Sequence, residues 1–590
     1  MKKLLLPLLF LASTFGCAQE SPAFQWRGCM IDVSRHYFPM SFLEKQVDVL
    51  AGMGINRLHL HLVDAAGWRM EIKAYPSLTT NTAWRTESDW DKWWVGEDRR
   101  YCSQDAPGAY GGYYTQEELR KLVGYAASKG ITIVPEIEMP GHSEEVIAAM
   151  PQLNCQPEKH VGLSPKGKAV GGHVGTMKNT GDVCPGNEAV YEFFQNVLLE
   201  VMDVFPSEYI HIGGDEAGKA NWDSCARCKE LKRKLGTSDK EALQAYLIRR
   251  ITRWLNQQGR KVIAWDEVVE GLKNKAVDIP VSSDSLTIML WRNPATAREA
   301  IGMGHDVIMA PSAYCYLDYY QDAPQTQPRA IGGFLPLSRV YAFDPYEEMT
   351  PEEQKHVLGV QGNLWTEYIE TPEHAEYMLY PRMLAIAEIG KLGANRPSWD
   401  TFRKQALKTL KRLRKQGVNA FDLAHEEGPR PESRQPVEHK AVGAKVLYNK
   451  PYSPHYVAAG ETTLTDGLRG DYSHGDGRWQ GFVTGDCLDV VVDLGQLTDI
   501  KEVSLDFMQN SGAWIYLPAS LLISASADGE NYLTLVEETT ARKTNVGTEF
   551  RRYSWHGKLS GIRYVRVQGT ATGQGEWLFT DEIIVRRSEP

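Results

Sequence analysis

Between about residue 25 and residue 425, eight short runs rich in Val, Ile and Leu alternate with segments of helical periodicity. That alternation constrains the fold more than any other feature, because strands that each return through a helix pair in parallel and need helices over their faces. The runs are CMIDV (29–33), RLHLHL (57–62), ITIVPEI (131–137), YIHIGG (209–214), KVIAW (261–265), LTIMLW (286–291), DVIMA (306–310) and LGVQGNLW (358–365). Helical patterns occupy 41–53, 115–129, 188–204, 240–258 and 372–389, and Thr115 with Glu118 forms a capping-box pattern. Eight βα units predict an α/β fold, a (β/α)8 TIM barrel over residues 22–423, with the eighth strand closing onto the first. A doubly wound open sheet is the competing arrangement, but no G-x-G-x-x-G follows the first strand.

Polar residues sit where such a barrel opens. Asp64 follows the second run, Glu136 and Glu138 lie on the third, Asp215 and Glu216 follow the fourth, and Asp266 and Glu267 the fifth. In a TIM barrel these strand ends converge on one mouth. In HIGGDE two glycines let the backbone approach a ligand before the pair Asp215-Glu216. Successive residues of an extended chain point to opposite sides, so the two carboxylates are poorly placed to act together as nucleophile and acid on one glycosidic bond. If Glu216 is the general acid, a substrate 2-acetamido group can supply the attack, with Asp215 holding and polarising it. Position alone equally allows both acids to bind a loop or a cation.

At 590 residues the chain exceeds one ordinary core. The stretch 424–440, charged, Pro-containing and without apolar period, reads as a linker. Residues 441–590 hold short alternating runs, among them CLDVVVDLG, EVSLDFMQ, SLLISAS, YVRVQG and EIIVRR, and predict a C-terminal β-sandwich domain. A formal net charge of -10 without a basic cluster argues against nucleic-acid or anionic-membrane partners. The 16 Trp and 27 Tyr suit a sugar substrate, whose apolar faces pack on flat rings, although core packing accounts for most such residues.

Lys2 and Lys3 precede an apolar run over 4–11 that is too short to span a bilayer, which predicts a signal peptide over 1–17. The run ends in TFGC, which resembles a lipobox, so Cys17 is the expected acylated residue and the expected location is the periplasm or outer membrane. Eight cysteines remain. Cys225 and Cys228 form a C-x-x-C without a second one, so a local disulfide or two thiols is favoured over structural zinc, and Cys155 with Cys184 could close a Gly-rich loop.

RGCMIDVSRHYFP, HLHLVDAAGWRMEIKAYPSLT, VPEIEMPGHS, HIGGDE, AWDE, YCYLDYYQ and GNLWTE stand in the order found in β-N-acetylhexosaminidases of glycoside hydrolase family 20, a resemblance that spans the barrel. It implies that Glu216 is the general acid/base and that Asp215 orients an acetamido group whose oxygen attacks the anomeric carbon, giving an oxazolinium ion and retention. By the same resemblance Trp265, Trp291 and Trp365 wall the acetamido pocket and Tyr316 hydrogen-bonds the acetamido oxygen. Arg27, Asp318 and Glu367 grip the outer sugar hydroxyls, and Asp64 with His142 lies behind the acid. Two departures stand out. VDAAGWR replaces the common TDDQGWR, so Ala65 and Ala66 remove polar groups expected at the rim, and the family's usual α/β domain does not appear between Cys17 and Arg27.

The tail, with TLTDGLRGDYSHGDGRWQGF and WIYLPASLLISASADGENY, resembles discoidin-like (factor 5/8 type C) sandwiches. That resemblance implies a carbohydrate-binding module, with Trp479, Trp514 and Trp577 as candidate contacts and bound calcium plausible. The expected activity is removal of terminal non-reducing β-linked N-acetylglucosamine, or N-acetylgalactosamine, from glycans. The chemistry needs no cofactor, and no metal ligand is assigned. A lacto-N-biosidase-like enzyme releasing a disaccharide and an inactive sugar-binding protein are the alternatives. Oligomeric state is not constrained.

Overall fold

The computed structural model describes residues 22–95, 101–157, 181–483, 488–543, 547–571, 573 and 575–587, so the segment bearing Cys17 lies outside the described residues. Eight parallel strands close a barrel: β1 (Trp26–Asp32), β2 (Arg57–His61), β3 (Thr132–Glu136), β4 (Tyr209–His211), β5 (Lys261–Trp265), β6 (Leu286–Leu290), β7 (Val307–Met309) and β8 (Val357–Leu364). Closure runs from Trp26 opposite Gly359 to Ile31 opposite Leu364, as the eight predicted runs require.

Around it pack α1 (Met40–Met53), α2 (Gln116–Ser128), α3 (Glu188–Val204), α4 (Ala226–Leu235), α5 (Glu241–Gln257), α6 (Pro294–Gly302), α7 (Pro372–Leu379) and α8 (Arg382–Leu392). The predicted capping box forms: the Thr115 hydroxyl accepts from the Glu118 N–H at 3.2 Å, and the Glu118 carboxylate accepts from the Thr115 N–H at 2.8 Å. Such a cap contributes about 1 kcal/mol. α3 turns Val190, Phe194, Val197, Leu198 and Val201 onto the barrel, the spacing of one helical face. The single helix predicted over 372–389 is two helices, because Pro381 has no N–H to continue the ladder.

The barrel interior beneath the mouth is polar. Glu136 Oε1 lies 2.8 Å from His211 Nδ1 and accepts from Trp265 Nε1 at 2.8 Å, while Oε2 lies 3.0 Å from His59 Nε2 and bonds His61 Nδ1. Burial pushes the Glu136 carboxyl up, but the imidazoles of His211, His61 and His59 outweigh it and hold the group well below the usual range. This plug forms because β2, β3 and β4 bring His61, Glu136 and His211 into register as neighbours.

The tail is an antiparallel domain of β9 (Lys445–Tyr448), β10 (Gln480–Val483), β11 (Leu488–Gln509), β12 (Ser520–Ser526), β13 (Leu533–Thr539), β14 (Glu549–Thr570), β15 (Trp577–Thr580) and β16 (Ile584–Arg587). LDVVVDLG (488–495) and EVSLDFMQ, read in the sequence as separate runs, belong to the single 22-residue β11, whose register against β14 shifts between Asp493 and Glu502. Irregular register bends a strand, and so one long strand can serve two faces of the core.

Residues 424–440 connect the two domains as an irregular, largely exposed segment that is anchored at a few points. Arg430 is buried, donates to the Gly470 carbonyl at 2.8 Å and pairs with Asp506, while Asp322 of the barrel accepts from the Glu427 and Gly428 N–H groups at 2.8 and 2.7 Å. His439 lies 2.7 Å from Glu582. Arg430 and Ser433 are buried, while most of the segment's other charged residues, among them Glu427, Glu432, Arg434 and Glu438, stay exposed. Phe334 meets Tyr472 edge-on at 5.2 Å, and Gln325 donates to the Thr548 carbonyl at 3.3 Å, so the sandwich docks on the loops after β7.

Candidate active site

β4 ends at His211, and the chain then turns rather than continuing extended. Gly213 (φ 65°) and Gly214 (φ 101°) take positive-φ conformations that favour glycine, and a Cβ at Gly213 would stand 1.7 Å from Glu138 Oε2. The turn removes the objection drawn from strand alternation. Asp215 Oδ2 and Glu216 Oε2 each lie 3.5 Å from one atom, Nε2 of His142. Their surroundings differ: Asp215 is buried with Oδ1 lacking any protein hydrogen-bond partner, whereas Glu216 opens to solvent. Glu216 (φ 43°) and His142 (φ 49°) both adopt left-handed backbone. That costs about 1–2 kcal/mol per residue and is typical of side chains held for function.

Behind His142 runs a charged chain. Asp64 Oδ1 accepts from His142 Nδ1 at 3.3 Å, and Asp64 Oδ2 pairs with Arg35 Nη2 at 2.7 Å and with His61 Nε2 at 3.0 Å. Burial pushes Asp64 up, yet the Arg35 guanidinium and His142 hold it well below the carboxylate range. Burial likewise opposes charge on His142, but Asp64 and Asp215 raise it well above the ordinary imidazole value. These neighbours favour the charged form of His142, and its hydrogen bond lowers the Glu216 carboxyl.

Aromatic rings complete the opening. Trp291 and Tyr316 stack at 6.1 Å and 22°, and Tyr316 and Trp365 approach at 6.1 Å, all three half-buried. Trp265, expected as one of the walls, is fully buried 5.9 Å from Trp365 and lies at the floor. Burial raises the Tyr316 hydroxyl well above its ordinary value, so it stays a neutral donor. Asp318, buried with Oδ1 unpartnered, is pushed up by burial and by Glu367. Arg382 fixes its loop by donating to the carbonyls of Tyr319 at 2.9 Å, Leu335 at 3.1 Å and Leu317 at 2.5 Å.

Arg27 is a correction. It lies at the start of β1 and donates to the carbonyls of Gly54 and Phe24, each at 2.7 Å, at the barrel end opposite the mouth. The arginine at the mouth is Arg35, which sits 3.1 Å from Asp32 and 3.8 Å from Glu367 and lies over Trp365 at 5.0 Å. Both arginines stand in RGCMIDVSRHYFP, and the strand-end rule that selected the acids selects Arg35. Sequence reading also passed over the roles of Glu138 and Glu267. Burial and then the charge of Asp215 raise both, Glu267 to about 8, which keeps negative charge beside Asp215 low. Ala65 and Ala66 are not rim residues: both are buried, Ala66 under Trp90, Trp93 and Tyr101, whose hydroxyl bonds the Ala65 carbonyl.

In the tail Trp479 is core, stacked on Phe550 with its N–H given to the Asp471 carbonyl at 2.8 Å, and Trp577 packs on Tyr456 and Phe579. Of the three candidate contacts Trp514 alone is largely exposed, at 55%. Cys155 and Cys184 form no disulfide, nor do Cys225 and Cys228.

Residues 24–390 match the catalytic domain of glycosyl hydrolase family 20, and residues 451–583 match the F5/8 type C domain. The chain belongs to glycoside hydrolase family 20. It is 38% identical to a beta-hexosaminidase of Porphyromonas gingivalis over 68% of this chain and 47% of that protein. It is 32% identical to a beta-hexosaminidase of Akkermansia muciniphila over 66% of this chain and 73% of the relative. The crystal structure of an exo beta-N-acetylglucosaminidase from Vibrio harveyi in complex with N-acetylglucosamine superposes with a TM-score of 0.58 at 32% identity, covering 68% of this chain and 60% of that one. The chain spans about half the length of some curated relatives, 47% of the P. gingivalis protein and 57% of one from Vibrio furnissii.

Proposed function

We propose that this protein is an exo-β-N-acetylhexosaminidase that removes terminal non-reducing β-linked N-acetylglucosamine, or N-acetylgalactosamine, by a retaining, substrate-assisted route. The observation that carries the reading is the unequal pair around His142: a buried Asp215 with an unsatisfied oxygen, and an open Glu216. Glu216 donates a proton to the glycosidic oxygen as the acetamido oxygen closes on the anomeric carbon and the aglycone departs. Asp215 accepts from the acetamido N–H and balances the charge of the oxazolinium. Trp291, Trp365 and the floor Trp265 exclude competing water, and the Tyr316 hydroxyl donates to the acetamido oxygen. Glu216 then takes a proton from the water that opens the ring.

Arg35, Asp318 and Glu367 supply hydrogen-bonding groups for the outer hydroxyls, which favours release of one sugar over release of a disaccharide. A panel of aryl β-glycosides with and without the 2-acetamido group tests the mechanism. Cleavage is expected only with the acetamide, and equal rates on plain glucosides would refute it. The TFGC segment supports export with Cys17 lipidated; loss of detergent-phase partitioning in Cys17→Ala checks this.

A further inference from the structure

Outside the mouth, one cluster of reactive side chains has no part in the chemistry above. Cys155, Cys184, Cys225 and Cys228 converge so that their sulfurs all lie within 4.8 Å of one another. Three Sγ separations are 3.6 Å for Cys155–Cys228, 3.7 Å for Cys184–Cys225 and 3.6 Å for Cys184–Cys228. A tetrahedral ion with metal–sulfur bonds of about 2.3 Å sets its ligand sulfurs about 3.8 Å apart. Disulfide pairing demands something else, two bonded sulfurs at about 2.05 Å. Cys184 favours neither Cys225 nor Cys228, and that equality is the signature of a shared centre.

The scaffold is that of a zinc knuckle built from two segments. Cys225 caps α4 and Cys228 lies in its first turn, where the helix N-terminus favours thiolates. Cys155 and Cys184 arrive on a second segment pair, joined by the bridge of Asn154 to Val183 and by the Cys184 N–H donating to the Leu153 carbonyl at 2.8 Å. Arg227, between the two helix cysteines, donates to the Asn154 carbonyl at 2.7 Å and brings a cation to a site whose four thiolates outweigh a divalent ion. Trp222, Leu231 and Leu243 wall the cluster. Neighbouring sulfurs at these separations surround one ion and leave no room for an iron–sulfur cage, and soft thiolates in a tetrahedron favour zinc.

We propose that Cys155, Cys184, Cys225 and Cys228 bind a single structural zinc ion as a tetrathiolate. The ion locks the ground on which the acid/base loop rests. Asp182, two residues before Cys184, accepts from the Gly218 and Lys219 N–H groups at 3.1 and 2.6 Å, and Trp222 donates to the Val183 carbonyl at 3.1 Å. Those bonds hold the segment that starts with Asp215-Glu216.

The test uses the full chain produced with zinc in the medium. Elemental analysis is expected to give one zinc per chain, and exchange with cobalt(II) to give sulfur-to-cobalt charge-transfer bands with intense tetrahedral d–d absorption. Cys184→Ser and Cys228→Ser are expected to abolish both signals. Should either fail to fold, Cys155→Ser at the half-buried corner is the second variant, expected to weaken zinc binding by at least about tenfold in a chelator competition. Metal-free protein whose non-reducing digest contains two disulfide-linked peptides from these four cysteines overturns the proposal, as does stoichiometric iron.

Discussion

Arg35 and Asp64 form a buried ion pair, Nη2 to Oδ2 at 2.7 Å. The pair roots the chain of charge that passes through His142 to Glu216, and its guanidinium also faces the sugar side of the mouth beside Glu367. Replacing Arg35 by Ala strands Asp64, and loss of one partner of a buried pair costs about 3–5 kcal/mol. Arg35→Ala is expected to lower both stability and kcat/KM. Arg35→Lys is expected to fold and still lose about tenfold or more in kcat/KM, because a point charge cannot serve Asp32, Asp64 and Glu367 as the planar fork does. Arg27→Ala is expected to leave kcat/KM unchanged; steady-state kinetics of the three variants decide the assignment.

The His142 cation has a direct kinetic sign. It lowers the Glu216 carboxyl, so the free enzyme loses its acid proton at lower pH than an isolated glutamate would. His142→Asn removes the cation and lets that pKa rise. The alkaline limb of the kcat/KM profile, which reports the free enzyme's acid, is expected to move to higher pH, while the maximum falls. A limb that stays in place or moves to lower pH would show that His142 does not govern the proton on Glu216.

Glu216→Gln removes a proton that matters in proportion to how poor the leaving group is. The expected loss in kcat is about 10²–10⁴-fold for alkyl and sugar aglycones and much smaller for nitrophenyl ones. Asp215→Asn is expected to impair all N-acetylated substrates alike, since it acts on the acetamide and not on the aglycone. A plot of log kcat against leaving-group pKa separates the two: steep for Glu216→Gln, parallel to wild type for Asp215→Asn.

Two tryptophans of the tail give opposite expectations. Trp479→Ala removes a fully buried ring and its hydrogen bond and is expected to destabilise the sandwich by about 3–5 kcal/mol. Trp514→Ala, at an exposed position, is expected to leave the denaturation midpoint within about 0.5 kcal/mol of wild type. Chemical denaturation followed by fluorescence measures both.

The barrel was legible in the sequence because its strands are rich in Val, Ile and Leu and several are separated by helices of clear period; Glu188–Val204 begins and ends where its pattern does. The acids of the mouth were legible for a related reason, since strand ends converge whatever the loops do. Arg35 was missed in favour of Arg27 because a motif fixes neighbours without saying which end of a strand each occupies. That Asp215 and Glu216 both approach Nε2 of His142 was hidden by the geometry of Gly213 and Gly214, which breaks the alternation of an extended chain. The anchoring of residues 424–440 was not legible because charge in a sequence does not reveal its partners, and Asp322 and Asp506, which receive Glu427 and Arg430, lie far away along the chain.

The docked sandwich sets how the enzyme meets its surroundings. Arg430 is buried in the connection and Phe334 is seated on Tyr472, so contacts beyond the chain link itself join the two domains. A surface that captures the sandwich thereby also sets the bearing of the barrel mouth. Reach is then a matter of angle and not of linker length, and only chain ends presented along that bearing come within range of Glu216.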